Sequence, residues 1–244
     1  MDSILHIRPE FTVFTGDFGF TSQHRHGALV LLIGLSGTFN IQLPGQAPVQ
    51  CRSALIDANV DHTVDCRSEH LAVMYFDILS HQGRALRQTF LTNLPATFDI
   101  VHDSIFNKRV ERRIFNADLE SLLNNTLHTP QSLMDNRIAS CIKLMHSLPN
   151  TSYSQSDLGQ QVGLSNSRLN HLFKLNTGLT FRHYKLWSKL SFFMRDFYTT
   201  GNLTDSALNS GFSDASHLSN SHRKIFGVTP SMVLGNLDEF RVFV

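Results

Sequence analysis

His24 and His26 stand two residues apart, so on a β-strand their imidazoles point to the same side. With His62 they compose a three-nitrogen face of the kind that holds a transition metal. The same three side chains are candidates for the mouth of a small-effector pocket. That second role is the one expected here, with structural hydrogen bonds to backbone and with no metal or cofactor. Arg25, Arg52 and Arg67 are nearby cations that could pair with an anionic effector. Cys51, Cys66 and Cys141 are odd in number and scattered, which fits neither a disulfide framework nor a zinc module.

A different chemistry is concentrated in the last third. Ser167, Asn170 and His171, then Ser216, Ser219 and Asn220, are short polar side chains suited to meeting base edges. Lys174, Arg182, Lys185, Lys189 and Arg223 are cations suited to phosphates. The elements that must position them come from a duplicated unit. Ser154 stands three residues before Asp157, as a helix N-cap with an acid at N3, and 48 residues later Asn202 stands three before Asp205. Gly163-Leu164-Ser165 recurs at the same offset as Gly211-Phe212-Ser213. With one residue inserted, Leu169 recurs as Leu218, Lys174 as Arg223, and Gly178-Leu179-Thr180 as Gly227-Val228-Thr229.

Each copy therefore predicts a short capped helix, a glycine turn and a second helix, the plan of a helix-turn-helix. The second helices are expected over 165–176 and 214–226, with Leu169, Leu172 and Phe173, then Leu218, Ile225 and Phe226, turned inward. Ser165 and Asp214 are expected to cap these helices rather than read bases. Phe181 to Tyr198, free of Gly and Pro, predicts one long connecting helix.

Residues 135–235 resemble the AraC/XylS family of bacterial transcription regulators. The resemblance is carried by Asp135-Asn136-Arg137-Ile138, Leu158, Gly163-Leu164-Ser165, Leu169, Phe173-Lys174, Gly178, Tyr184, Ala207, Gly211-Phe212, Asp214 and Gly227-Val228-Thr229-Pro230. It implies two DNA-reading helices held apart by a long one. His171 and Asn220 depart from the family's usual arginines, Lys189 replaces another, and Ser206 and His222 replace apolar residues. Arg reads guanine bidentately, so the first unit, with the stronger core signals, is expected to bind DNA more firmly than the second.

The preceding half resembles the cupin-like sensor of the same family. Gly19, His24, His26 and Gly37 are similar to the first cupin motif, and His62 stands where the second motif has its histidine. The acid that follows the His-x-His in that motif is missing from Ala28–Ile33, and regulators of this kind commonly keep the barrel without the metal. Strands are expected over 28–33, 38–43, 53–56, 62–65 and 70–78. Phe11, Phe14, Phe18, Phe20, Leu31, Ile33, Met74 and Phe76 are candidates to line a pocket inside. Ile105, Val110, Ile114, Leu119, Leu122 and Leu123 recur at helical spacing among charges, an amphipathic helix suited either to the sheet or to a dimer seam.

The 244 residues carry a net charge of +1, and only 17% are charged, against roughly 25% in an average domain. Residues 1–130 hold 10 Lys+Arg against 13 Asp+Glu, and residues 131–244 hold 11 against 7, so the halves differ as −3 and +4. The basic share coincides with the duplicated unit. Apolar runs are too short for a bilayer span, and Met1–Glu10 lacks the apolar segment of a signal peptide, so a cytoplasmic protein is expected.

The expected fold class is α+β: a cupin-like β-barrel sensor domain (1–103), the amphipathic helix and linker (104–130), and an all-α DNA-binding domain with two helix-turn-helix motifs (131–244). The expected function is sequence-specific transcription regulation rather than catalysis, as an activator, with double-stranded DNA as partner. A small effector, a second copy of the chain and, for an activator, RNA polymerase complete the expected partners. A metal-binding cupin enzyme with an accessory helical domain, and a helical interaction module without DNA binding, are the alternatives.

Overall fold

The computed structural model describes residues 3–7, 11–17, 19–101, 134–147, 153–231 and 240–243. The chain divides into two compact units, Met1–Pro130 with Phe226–Val244, and Gln131–Ile225. By its contacts the helical unit ends at Ile225. The reason is β10 (Phe240–Phe243), which pairs in parallel with β1 (Ser3–Ile7) and so belongs to the first unit.

The first unit is built on two sheets. The larger contains β10, β1, β2 (Phe11–Gly16), β8 (Leu71–Phe76), β3 (Leu29–Gly34), β6 (Ser53–Ile56) and β9 (Ala96–Phe98), in that order. The smaller runs β5 (Val49–Cys51), β4 (Phe39–Gln42), β7 (Thr63–Asp65). The expected barrel is not closed. β5 and β7 are only three residues long, too short to carry a continuous ladder to the edges of the larger sheet. Isolated bridges Phe20–Asp65 and His24–His62 seat the segment before β3 against β7. A helix, α1 (His81–Phe90), follows β8, capped by Ser80, whose hydroxyl accepts from the Gly83 N–H at 2.9 Å.

Strand alternation decides which residues reach the space between the sheets. Val30, Leu32, Ala54, Ile56, Leu71 and Val73 of the large sheet meet Phe39, Ile41, Cys51 and Val64 of the small one, all buried. Leu31 pairs with Met74, Ile33 with Ala72, and Phe11 with Phe76, so these sit on the opposite face of the large sheet. Of the expected pocket-lining residues, Phe11, Leu31, Ile33, Met74 and Phe76 are therefore core on that other face. Phe20 is exposed, and Phe18 lies outside the described residues. The amphipathic stretch at 104–123 also lies outside them.

The second unit is helical: α2 (Asn136–Ser147), α3 (Gln155–Gln161), α4 (Asn166–Thr177), α5 (Phe181–Thr200), α6 (Leu203–Asn209) and α7 (Ala215–Phe226). The long α5 buries Phe181, Tyr184, Trp187, Leu190, Phe193 and Phe197, one residue per turn. Each such side chain contributes about 1.5–3 kcal/mol on leaving water. Phe173 of α4 packs on this stripe, 5.6 Å from the Phe181 ring and 5.4 Å from Tyr184. Among the described residues no helix is long and apolar enough to cross a membrane.

Candidate nucleic-acid interface and sensor site

Two equivalent units stand on α5. In the first, the Ser154 hydroxyl accepts from the Asp157 N–H at 3.1 Å while the Asp157 carboxylate accepts from the Ser154 N–H at 2.9 Å. The Ser154 hydrogen bonds hold the Asp157 carboxyl below the usual carboxylate range. Gly163 takes φ +66 after α3, and the Leu164 N–H folds back onto the Gly159 carbonyl at 2.8 Å. In the second unit the Asn202 side chain accepts from the Asp205 N–H at 3.1 Å, Gly211 takes φ +78, and the Phe212 N–H meets the Ala207 carbonyl at 3.0 Å. The same offset of 48 residues relates both pairs.

The helices that follow are capped in parallel. Ser165 accepts from the Arg168 N–H at 3.3 Å, and Asp214 accepts from the His217 N–H at 2.7 Å. That bond, with one from the Ser213 hydroxyl, keeps the Asp214 carboxyl below its ordinary range. Both residues cap, as their position at the helix starts implies.

On α4, Leu169, Leu172, Phe173 and Thr177 are buried, while Ser167, Asn170, His171 and Lys174 are exposed along one face. Arg168, which no sequence motif marks, is exposed beside them as a guanidinium on the first turn. On α7, Ser216, Asn220 and Arg223 are exposed and Ser219 is half-buried. Leu218, Ser221, His222 and Ile225 face inward. Ser206 is fully buried yet satisfied, sharing a 2.8 Å hydrogen bond with the Thr200 hydroxyl.

The cations divide into two groups. Lys174, Arg182 and Arg223 are exposed. Lys185 instead donates to the Tyr153 carbonyl ahead of α3, and Lys189 donates to the Gly211 carbonyl at 2.6 Å with its ammonium 5.7 Å from the Phe212 ring. These two lysines brace α5 against each unit. Burial, with the charge of Lys185, pulls the Lys189 ammonium below its usual range. A cavity of about 400 Å³ lies between α5 and α7, lined by Arg182, Lys185, Lys189 and Lys224 with Asn220 at its side, and no carboxylate lines it.

In the first unit His24, His26 and His62 converge, with ring centroids 4.4–5.1 Å apart. They are buried rather than set at an open mouth, at 4%, 3% and 1% exposure. His62 shares the inward parity of Val64, and paired backbone bonds of 2.9 and 3.1 Å fix it opposite His24. The His24 Nδ1–H donates to the Ser22 carbonyl at 2.8 Å, and the His62 Nδ1–H donates to the Val60 carbonyl at 2.9 Å. Both bonds leave Nε2 as a bare lone pair pointing inward.

His24 Nε2 lies 3.2 Å from His26 Nε2, and His62 Nε2 has no hydrogen-bond partner. Burial depresses the basicity of His24, and burial with the neighbouring His24 takes His62 down to about 3. Burial thus favours the neutral form of the His24 and His62 rings. The first unit's own returning segment covers them. Ser22 Oγ donates to the Gly227 carbonyl at 2.9 Å, and a Cβ at Gly227 would meet His24 Nδ1 at 2.6 Å. Arg25 is paired with Asp61 at 3.6 Å, Arg52 lies toward the Gly34 carbonyl, and Arg67 is exposed at a turn, so none of the three enters this cluster.

A family model described as a helix-turn-helix domain matches residues 158–236. No curated protein matches the chain. Among solved structures, the fold is similar to that of ToxT from Vibrio cholerae O395, at 14% identity over 93% of this chain and 100% of that one, with a TM-score of 0.62. The same protein bound to (E)-4-(8-methylnaphthalen-1-yl)but-3-enoic acid matches at 15% identity, 93% and 99% coverage and a TM-score of 0.63. Unsaturated fatty acid bound wild-type ToxT from Vibrio cholerae strain SCE256 matches at 12% identity, 94% and 98% coverage and a TM-score of 0.58. At these identities the likeness is one of fold, and it extends over both units.

Proposed function

We propose that the chain is a DNA-binding transcription regulator of the AraC type, controlled through its N-terminal unit, on the footing of the helix-turn-helix domain matched at residues 158–236. The observation that carries this reading is the pair of equivalent units, α3–α4 and α6–α7, each ending in a capped helix with an exposed polar and basic face. Such helices enter successive major-groove segments about one helical turn apart. Ser167, Asn170 and His171 read bases in one segment, and Ser216, Ser219 and Asn220 in the next. Lys174, Arg182 and Arg223 hold phosphates, with Lys224 at the edge of the α5–α7 cavity adding a fourth.

The first unit supplies the signal. ToxT has been crystallised with carboxylic acids, which supports a small-molecule effector for this fold. In this chain the effector site is the His24, His26 and His62 cluster. An effector shifts DNA affinity only by its preference for one arrangement of the protein over another. Pairing of two chains, and contact with RNA polymerase when the outcome is activation, complete the proposed assembly.

Selection of bound sequences from a random duplex library, followed by fluorescence anisotropy on the recovered duplex at low and raised salt, tests the reading. A recovered bipartite sequence with salt-dependent binding is expected. Absence of salt-dependent binding to any duplex would leave a helical interaction module instead.

A further inference from the structure

We infer that the cavity between α5 and α7 is a binding site for a small phosphorylated anion, an input to the protein separate from the first unit. The site stands on the geometry of the second unit alone; its effect on DNA rests on the regulator reading above. Spacing explains how the sequence builds it. Arg182, Lys185, Leu186 and Lys189 follow one another at i, i+3, i+4 and i+7, which is one stripe of α5. His217, Asn220, Ser221 and Lys224 repeat that spacing on α7, and the two stripes enclose about 400 Å³. Small-molecule sites occupy roughly 300–1,000 Å³. Among the described residues that line the cavity, Leu186 is the one apolar side chain, so the space suits a polar occupant.

Charge selects the occupant. Four of the lining residues are cations, and among the described residues no carboxylate joins them. Arg182 and Lys224 are exposed, whereas Lys185 and Lys189 are half-buried. Lys185 donates to the Tyr153 carbonyl and Lys189 to the Gly211 carbonyl. Each ammonium has three donors, so one carbonyl leaves two for a ligand and cancels no charge. The Lys189 ammonium is held below its usual range by burial and by the field of Lys185, as expected of like charges drawn together out of water. Acids on neighbouring elements are committed elsewhere. The Asp157 carboxylate accepts from the Ser154 N–H and hydroxyl, and the Asp214 carboxylate accepts from the His217 N–H and the Ser213 hydroxyl.

A phosphate monoester carries about −1.5 to −2 charges near neutral pH and three strong acceptor oxygens, which matches two half-buried ammoniums. A carboxylate brings a single charge and leaves one ammonium uncompensated. The Arg182 guanidinium adds a fork suited to a second pair of phosphate oxygens, and the Asn220 amide adds two donors. A duplex carries its phosphates on the outside of the double helix, so it meets the exposed Arg182 and Lys224 rather than the two half-buried lysines. A small anion in the cavity therefore withdraws two of the cations that hold DNA, and its binding opposes that of the duplex.

The test titrates the full chain with sodium pyrophosphate by calorimetry, in metal-free buffer with the ionic strength held constant by chloride. One equivalent per chain is expected, and Lys224→Gln and Arg182→Gln should each weaken binding about fivefold. Arg195→Gln, which removes the same charge from an exposed position of α5 outside the cavity, should leave the affinity unchanged. Circular dichroism checks that the variants fold. Absence of saturable binding to the unaltered chain overturns the inference. Binding that falls as far with Arg195→Gln as with Lys224→Gln overturns it as a diffuse charge effect, and displacement by equimolar acetate overturns the phosphate class. A chain that ignores pyrophosphate, but whose salt slope on the selected duplex falls with Lys189→Met, holds the DNA backbone there instead, and the small anion is again overturned. Anisotropy on that duplex then compares the chain with and without saturating pyrophosphate at equal ionic strength, with a Kd raised about fivefold expected. An unchanged Kd overturns the opposition to DNA alone, and pyrophosphate binding by a chain that binds no duplex defeats the regulator reading while leaving the site.

Discussion

Gly159 shows how a single residue sets the geometry of the reading unit. A Cβ at that position would stand 2.6 Å from the Leu164 carbonyl oxygen, a backbone atom fixed by its place in the turn. Gly159→Ala must therefore push the turn away from α3, which costs about 1–3 kcal/mol as overpacking does. The chain's one tryptophan, Trp187, is buried in α5 and reports on the second unit alone. Urea unfolding followed by its fluorescence should show the loss as a lower midpoint, and an unchanged midpoint would refute the close approach. The equivalent position in the second unit is Ala207, which already carries the methyl group. Arg168 is a second residue with consequences. It shares an α4 face with His171 and Leu175 at i, i+3 and i+7, and so occupies a place where a guanidinium can supply the bidentate reading that His171 cannot. Arg168→Ala should weaken binding to the selected duplex by about 1–3 kcal/mol and relax preference at one base position, measured by anisotropy on single-base variants of the site.

At the level of elements, α5 is both spacer and clamp, and its lysines test which role matters where. Lys189 is tied to the Gly211 carbonyl, so Lys189→Met should lower the melting temperature of the second unit while leaving the salt dependence of DNA binding unchanged. Arg182 is exposed, so Arg182→Gln should leave the melting temperature in place and reduce the slope of log K against log salt by about 0.9. The opposite pattern would exchange the two assignments. These helices were legible in the sequence because Gly163, Gly211, Ser154 and Asn202 punctuate them and because the duplication repeats each signal. The strands over 53–56 and 71–76 were legible as short apolar runs between turn residues, whereas β1, β2, β9 and α1 were not expected. The direction of the lysines was not legible at all, since a carbonyl partner 22 or 32 residues away leaves no pattern in the chain. The burial of the three histidines escaped for the same reason: spacing placed them on one side of the chain, but only the pairing of His24 with His62 brings their rings together. Between the two reading units, the first carries Arg168 on the opening turn of its helix, and the second buries Ser206 and His222 where apolar groups would pack. A footprint should accordingly show stronger protection over the segment read by α4 than over the one read by α7.

For the whole molecule the question is how much of its DNA affinity one chain can supply. The basic half carries a formal +4, and two of its lysines already donate to backbone carbonyls within the protein. Of the remaining cations, Arg168, Lys174, Arg182, Arg223 and Lys224 are exposed on or beside the two reading helices and are the ones placed to displace counterions. At about 0.9 per phosphate, one chain on one bipartite site should give a salt slope near −4 to −5. Such a slope corresponds to modest non-specific affinity at physiological salt, so tight occupancy of a promoter needs a second chain to raise the effective concentration of the first. On a duplex carrying two copies of the selected site, the slope should therefore approach −9, with binding that steepens in protein concentration. The same slope on single and paired sites would mean that each chain binds alone, and pairing through the first unit would then contribute nothing to recognition.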